Sequence, residues 1–140
     1  MVELIHGDCL EEIKGLPCGS VDMVFTSPPY ADRRKSTYGG LHESEYVEWF
    51  IPIAIEIKRI LNKKGSFFLN IKPHTNKGQR VLYVHDLILT LVRDLGFNYV
   101  DEICWTKNAF PGSMHGRFKN GFEPIYHFSA GKTKNRMLKL

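Results

Sequence analysis

A chain of 140 residues with an ordinary apolar share is one domain's worth of sequence, and its net charge of +4 is modest. No apolar run reaches the roughly 18 residues of a membrane span, and Met1 to His6 lack a basic stretch leading into an apolar one, so neither a membrane protein nor a secreted one is expected. Three cysteines, Cys9, Cys18 and Cys104, have no CxxC spacing and leave one unpaired in any disulfide scheme, which predicts reduced thiols in a cytoplasmic protein.

In chain order, Val2 to His6 reads as a short strand. A helix follows from about Cys9 to Gly15, with Asp8 and Glu11 spaced as a capping box and Leu16-Pro17 ending it. The apolar run Val21 to Phe25 reads as a buried strand, and Thr26-Ser27-Pro28-Pro29-Tyr30 forms a turn at its carboxyl end. Open α/β sheets place their ligands at that end. Arg33-Arg34-Lys35 and Gly39-Gly40 then make a basic loop, read either as a contact for a polyanion or as a solvated loop. A long helical pattern runs from about Glu43 to Leu61, with Val47, Phe50, Ala54, Ile57 and Leu61 on one stripe and a kink expected at Pro52.

Ser66 to Ile71 is the next apolar strand. A helix from about Arg80 to Leu95 carries Val84, Ile88, Leu91 and Leu95 on one face and ends at Gly96. Phe97 to Thr106 and Phe122 to Phe128 are the last strands, and Pro124 puts the final one at an edge or near its own start. Between them Asn108 to Gly121 is a loop bearing Arg117 and Lys119, with Lys107 at its entrance. Lys132, Lys134, Arg136 and Lys139 make a basic tail, read as frayed. Strands alternating with helices predict an α/β sheet, parallel at least in its first part.

The turn is the chemically informative segment. An exocyclic amino nitrogen on a base is a poor nucleophile, because its lone pair is delocalised into the ring. Methylating it requires acceptors that hold both N–H bonds and help the lone pair turn toward a methyl donor. The Ser27 hydroxyl oxygen and the Pro28 carbonyl are two such acceptors, and the prolines fix the backbone that presents them. Tyr30 offers a face on which an extruded base can stack. An ordinary proline turn is the plainer alternative.

The six histidines form no metal spacing with one another or with the cysteines, so no metal is expected. Cys104, beside Trp105, reads as core, and Asp101 and Glu102 have no evident carboxylate partner.

Thr26 to Tyr30 resembles the catalytic motif of the DNA amino-methyltransferases. Serine at the first variable place is typical of cytosine-N4 enzymes, whereas adenine-N6 enzymes more often carry aspartate there. Ile5 to Leu10, Val21 to Phe25, Ala31 to Gly40, Gly65 to Ile71, Trp105 to Asn108 and Phe122 to Phe128 are similar to the permuted, β-type branch of that family. The resemblance implies that Ser27, Pro28, Pro29 and Tyr30 are the catalytic segment. It implies that Asp8, Cys9 and Thr26 contact S-adenosylmethionine, although Asp8 also reads simply as a helix cap. It further implies that Arg33, Arg34, Lys35, Tyr38 and Lys107 touch double-stranded DNA, at phosphates in the case of the basic residues.

The implied fold is an incomplete Rossmann-like sheet. A cofactor turn of that fold needs closely spaced glycines, yet the twelve glycines here make no GxG pair, and nothing matches the family's Asp-Pro-Phe-x-Gly-Ser-Gly segment. The 25 residues before Thr26 are already used by a strand and a helix. Residues 1–140 are therefore expected to form a single partial domain with an open apolar edge beside the first strands.

Three explanations compete. In the first, a second polypeptide carrying the glycine-rich motif completes an enzyme that binds S-adenosylmethionine only when assembled. In the second, the chain is an inactive remnant that pairs its edges as a homo-oligomer. In the third, it is a non-catalytic DNA-binding module.

Overall fold

The computed structural model describes residues 2–32, 40–107, 116 and 120–131. Its elements are α1 (Cys9–Lys14), β1 (Val21–Thr26), α2 (Tyr46–Ile60), β2 (Leu61–Asn70), β3 (Thr75–Asn76), β4 (Gln79–Arg80), α3 (Tyr83–Arg93), β5 (Asn98–Thr106) and β6 (Phe122–Ser129). The main sheet has the order β1-β2-β6-β5. β1 and β2 are parallel, and β6 is antiparallel to both of its neighbours. The fold is thus α/β with a mixed sheet, parallel where its first crossover helix, α2, lies between β1 and β2.

Period-2 alternation on β2 builds one side of the core, with Phe67 and Leu69 fully buried and Ile71 continuing the row just past the strand. Phe128 and Tyr126 extend that surface across β6, and Phe67 and Phe128 stack at 5.7 Å. Phe50, Ala54 and Ile57 of α2 and Val84, Leu87 and Leu91 of α3 cover it. α2 continues through Pro52, which stands on its exposed side. Arg59 of α2 fastens α1: its Nη1 donates to the Leu16 carbonyl at 2.8 Å and its Nη2 to the Ile13 carbonyl at 3.0 Å, at the carboxyl end of the helix.

Several expectations are corrected. Residues 2–6 form no strand; Val2, Leu4 and Ile5 are 89%, 93% and 56% exposed. An isolated strand has no ladder to satisfy its backbone, and among the described residues none pairs with this one. Cys104 is exposed rather than core, because β5 forms one edge of the sheet and all nine of its residues are exposed. Of the two placements that Pro124 allowed, an edge or the start of its strand, the second holds, and β6 is interior. Pro124 is tolerated near its start, facing Cys104, while its carbonyl accepts from Asn70 Nδ2 at 3.0 Å. The second long helix begins at Tyr83 rather than Arg80, because Gln79–Arg80 is used by a two-residue hairpin. Lys77 and Gly78 sit at its tip with φ of 46° and 82°, the left-handed pair that such a hairpin requires.

β1, expected as a buried strand, instead occupies the other edge with none of its residues buried, Met23 being 60% and Phe25 57% exposed, because among the described residues only β2 pairs with it. The two faces of the sheet therefore differ in what they contribute to stability. Leu69→Ala should cost about 2–5 kcal/mol through a buried cavity. Phe25→Ala should change stability by less than about 1 kcal/mol, since its ring is largely in water already. Urea denaturation of the two variants checks the contrast.

Candidate functional site

The turn leaves the sheet at Thr26, which lies opposite Leu69 at the carboxyl ends of the two parallel strands. Ser27 and Pro29 are exposed, Pro28 and Ala31 are buried, and Tyr30 is half-buried. The turn is tied to the core from below. The hydroxyl of Tyr46, a residue of α2 with no exposed surface, donates to the Pro29 carbonyl at 2.7 Å. Tyr46 is itself wedged edge-on against Tyr83 at 4.8 Å, and Tyr83 donates to the Lys72 carbonyl at 3.2 Å. Burial pushes the Tyr46 phenol far above its ordinary range, so it stays a donor at any ordinary pH.

Beside the turn lies a charged network that the sequence did not single out. Burial first, and then the charge of the nearby Glu123 carboxylate, push the Tyr30 phenol upward. Glu123 stands at the start of β6 and pairs with Lys107 Nζ at 2.6 Å. The same ammonium lies 4.4 Å above the Trp105 ring, and the Lys107 backbone N–H donates to the Gly121 carbonyl at 2.9 Å. Lys107, expected at DNA, is thus engaged within the chain. The only sequence signal for Glu123 was a lone acid at the start of an otherwise apolar strand, and its partners lie too far away in sequence to be read.

The basic loop is pinned at its base. The Asp32 N–H donates to the Leu41 carbonyl at 2.9 Å, and the Glu43 N–H donates to Asp32 Oδ2 at 3.3 Å. His74 Nε2 lies 3.1 Å from the Glu43 carboxylate. Asp32, Glu43 and His74 each bring one potential metal-ligating atom within 4.8 Å of the others. Sequence spacing could not reveal this cluster, since its members come from three segments. The Glu43–His74 pair accounts for it as a closure of the loop. Arg33, Arg34, Lys35 and Tyr38 lie outside the described residues.

Asp8 caps α1, its Oδ1 accepting from the backbone N–H of Leu10 at 2.9 Å and of Glu11 at 3.4 Å. The reciprocal half of the expected box is absent, because Glu11 turns to Lys14 at 2.8 Å. Asp8 and Cys9 are both exposed.

With this geometry in hand, comparison with known proteins is specific. Residues 21–139 match the family model N6_N4_Mtase, described as DNA methylase. The type II methyltransferase M.PvuII of Proteus hauseri is 34% identical over 101 residues, covering 71% of this chain and 30% of that protein. The DNA adenine methyltransferase YhdJ of Escherichia coli K12 is 36% identical over 70 residues, covering 47% of this chain and 23% of that protein. A solved structure of the PvuII DNA methyltransferase, described as cytosine-N4-specific, superposes with a TM-score of 0.73 at 29% identity, over 89% of this chain and 47% of that one. The chain thus spans less than a third of these curated relatives and about half of the solved one.

One measurement tests the anchoring of the turn, and a second tests the tyrosines of β5 and β6. Tyr46→Phe should lower stability by about 1 kcal/mol, the net worth of one hydrogen bond, as read from urea denaturation. The second is alkaline titration. Burial and Glu102 push the Tyr99 phenol up to about 12, and burial raises Tyr126 as well. Unfolded tyrosines release their protons near pH ~10, so above that pH the folded chain holds more protons than the unfolded one. Stability is then fully present below about pH 10 and should fall as pH rises toward 12, tracked by circular dichroism against phenolate absorbance.

Proposed function

This chain belongs to the N6_N4_Mtase family of DNA methylases, and we propose that it is the base-gripping half of a cytosine-N4 DNA methyltransferase of permuted segment order. The observation that carries this reading is the Thr26–Tyr30 turn, placed at the carboxyl end of β1 and tied to the core through Pro29. In this reading Ser27 Oγ and the Pro28 carbonyl hold the two N–H bonds of a flipped base, and Tyr30 stacks on its ring. That would leave the lone pair of the amino nitrogen free, and S-adenosylmethionine held in the assembled enzyme would supply the methyl group, taken in exchange for one proton released to solvent. Serine at position 27, together with the likeness to a cytosine-N4-specific enzyme, supports cytosine over adenine. The similarity to YhdJ supports the adenine-N6 reading as the second choice.

Residues on this chain fit only part of a cofactor site. Asp8, Cys9 and Thr26 would line it in the proposed enzyme, but the chain carries no GxG turn through which backbone could approach the cofactor. The exposed edge of β1, with Met23 and Phe25 half open to water, supports docking of a second polypeptide that supplies that turn. Pairing with a second copy of this chain is the competing use of the same edge, in an inactive remnant. In the assembled enzyme the basic residues Arg33, Arg34 and Lys35, with Tyr38 beside them, would approach the DNA backbone. Lys107, held by Glu123, would contribute less to DNA binding than these residues.

Calorimetry decides between these uses. S-adenosylmethionine titrated into the chain alone should give no saturable heat, and mixing the chain with a glycine-turn half taken from a family relative should create a site. Strong binding by the chain alone would sink the two-part reading. In the assembled enzyme Ser27→Ala should lower methyl transfer by about 100-fold. Nucleoside analysis of the product separates N4-methylcytosine from N6-methyladenine.

A further inference from the structure

Burying a polar atom without a hydrogen bond costs free energy, so an orphaned buried oxygen or nitrogen marks a place where something else belongs. Two such atoms stand together beside the turn. Glu43 Oε2 and His74 Nδ1 are closed off from solvent, and neither has a hydrogen-bond partner. The side chains that carry them are 22% and 9% exposed. Oε2 lies 3.1 Å from the other ring nitrogen, Nε2, but the two are not aligned as donor and acceptor. The contact closes the base of the loop without meeting the polar atoms it buries.

Asp32 completes the group. Its Oδ2 accepts from the Glu43 backbone N–H at 3.3 Å, which ties the two acidic residues together. One oxygen or nitrogen from each of Asp32, Glu43 and His74 falls within 4.8 Å of the other two. Metal–oxygen and metal–nitrogen bonds run to about 2.1 Å, so two ligands of one ion stand at most about 4.2 Å apart. Side-chain adjustments of less than about 1 Å therefore bring all three to one centre. The backbone behind His74 is fixed: its carbonyl accepts from the Val81 N–H at 3.1 Å, and the preceding Pro73 carbonyl accepts from Arg80 Nη1 at 3.3 Å.

We propose that Asp32, Glu43 and His74 form a site for a divalent transition-metal ion. Two carboxylates and one imidazole are a mixed oxygen–nitrogen set, which suits manganese or zinc better than the ions that prefer thiolates or oxygen alone. The ion takes the Glu43 oxygen that no hydrogen bond reaches, and either nitrogen of an imidazole can serve as its ligand. It draws together three segments: the residue two after Tyr30, the approach to α2, and the chain that leaves β2. The site also continues the aromatic row that anchors the turn. The His74 ring lies 6.0 Å from Tyr83, and Tyr83 lies 4.8 Å from Tyr46, whose hydroxyl holds the Pro29 carbonyl. The turn is thus held at Pro29 by Tyr46 and at Asp32 by the ion. The role of the metal is to order this segment, and it stands apart from the methyl-transfer reading because it concerns the chain alone.

Manganese(II) is the probe, since it has little affinity for the exposed thiols of Cys9, Cys18 and Cys104 and broadens the magnetic resonance signals of groups near it. Calorimetry of the chain should give one saturable site with a dissociation constant below about 1 mM. Magnesium should bind more weakly, because it prefers oxygen ligands and retained waters. Trace manganese should broaden the His74 ring signals before those of any other of the six histidines. Asp32→Asn and Glu43→Gln keep the shape and one accepting oxygen, and each should weaken binding by about 10-fold or more. Saturating manganese should raise the Tm of the wild-type chain by several degrees and leave that of the variants in place. Circular dichroism checks that each variant is folded, and if one is not, the other variant and the broadening pattern still decide. Absence of saturable binding by the folded chain overturns the proposal. So does binding that survives both substitutions, or broadening centred on another histidine.

Discussion

The hydrogen bond from Tyr46 to the Pro29 carbonyl is the contact on which the site depends. Prolines restrict the turn locally, since each fixes its own φ, but they do not fix the turn relative to the rest of the molecule. Two prolines also remove two backbone donors, so this segment cannot be secured by a ladder of its own. A donor from elsewhere has to do it. Tyr46 comes from the first turn of α2, is wholly buried, and packs against Tyr83, so its hydroxyl has little freedom. Whatever Ser27 and Pro28 present is consequently referenced to the hydrophobic core rather than to a loop.

The same economy governs the charges around the site. Lys107 and Glu123 compensate each other at 2.6 Å, and the Trp105 ring covers the ammonium. A cation so engaged offers less to a phosphate than a free one does, because recruiting it means breaking a pair that is half withdrawn from water. Arg33, Arg34 and Lys35 have a different status: in sequence they lie between Asp32 and Glu43, which are hydrogen-bonded to each other. Under the proposed reading the Lys107–Glu123 pair is spent within the chain, and Arg33, Arg34 and Lys35 are left for the DNA.

Local signals made much of this legible. The run Val21 to Phe25 followed by Thr26 to Tyr30 places a strand and its turn correctly, because strand periodicity and proline chemistry both act over a few residues. The stripe Phe50, Ala54 and Ile57 likewise announces the buried face of α2. Where reading failed, the deciding partner was distant or lacking. Val2 to His6 has the composition of a strand, yet composition cannot provide the neighbour that a strand requires. Cys104 looked internal because apolar residues on an edge strand are indistinguishable in sequence from those on a central one. Glu123 and Tyr46 gained their roles only when segments far apart in the chain met at the end of the sheet. Pairwise chemistry between distant segments is what a single sequence encodes least directly.

One consequence of the topology joins stability to activity. The strand that ends in the gripping turn is also the edge strand, paired on one side only with β2. Among the described residues no strand pairs with its outer side, and Met23 and Phe25 are half-exposed, in the very element from which the turn leaves. A strand docked along that edge would complete the β1 ladder and limit the fluctuations that an edge strand otherwise permits. In the proposed two-part enzyme, the event that brings the cofactor turn would thus also stiffen the strand beneath the substrate-binding atoms. Assembly and catalytic order would be one equilibrium, because both pass through the same six residues of β1.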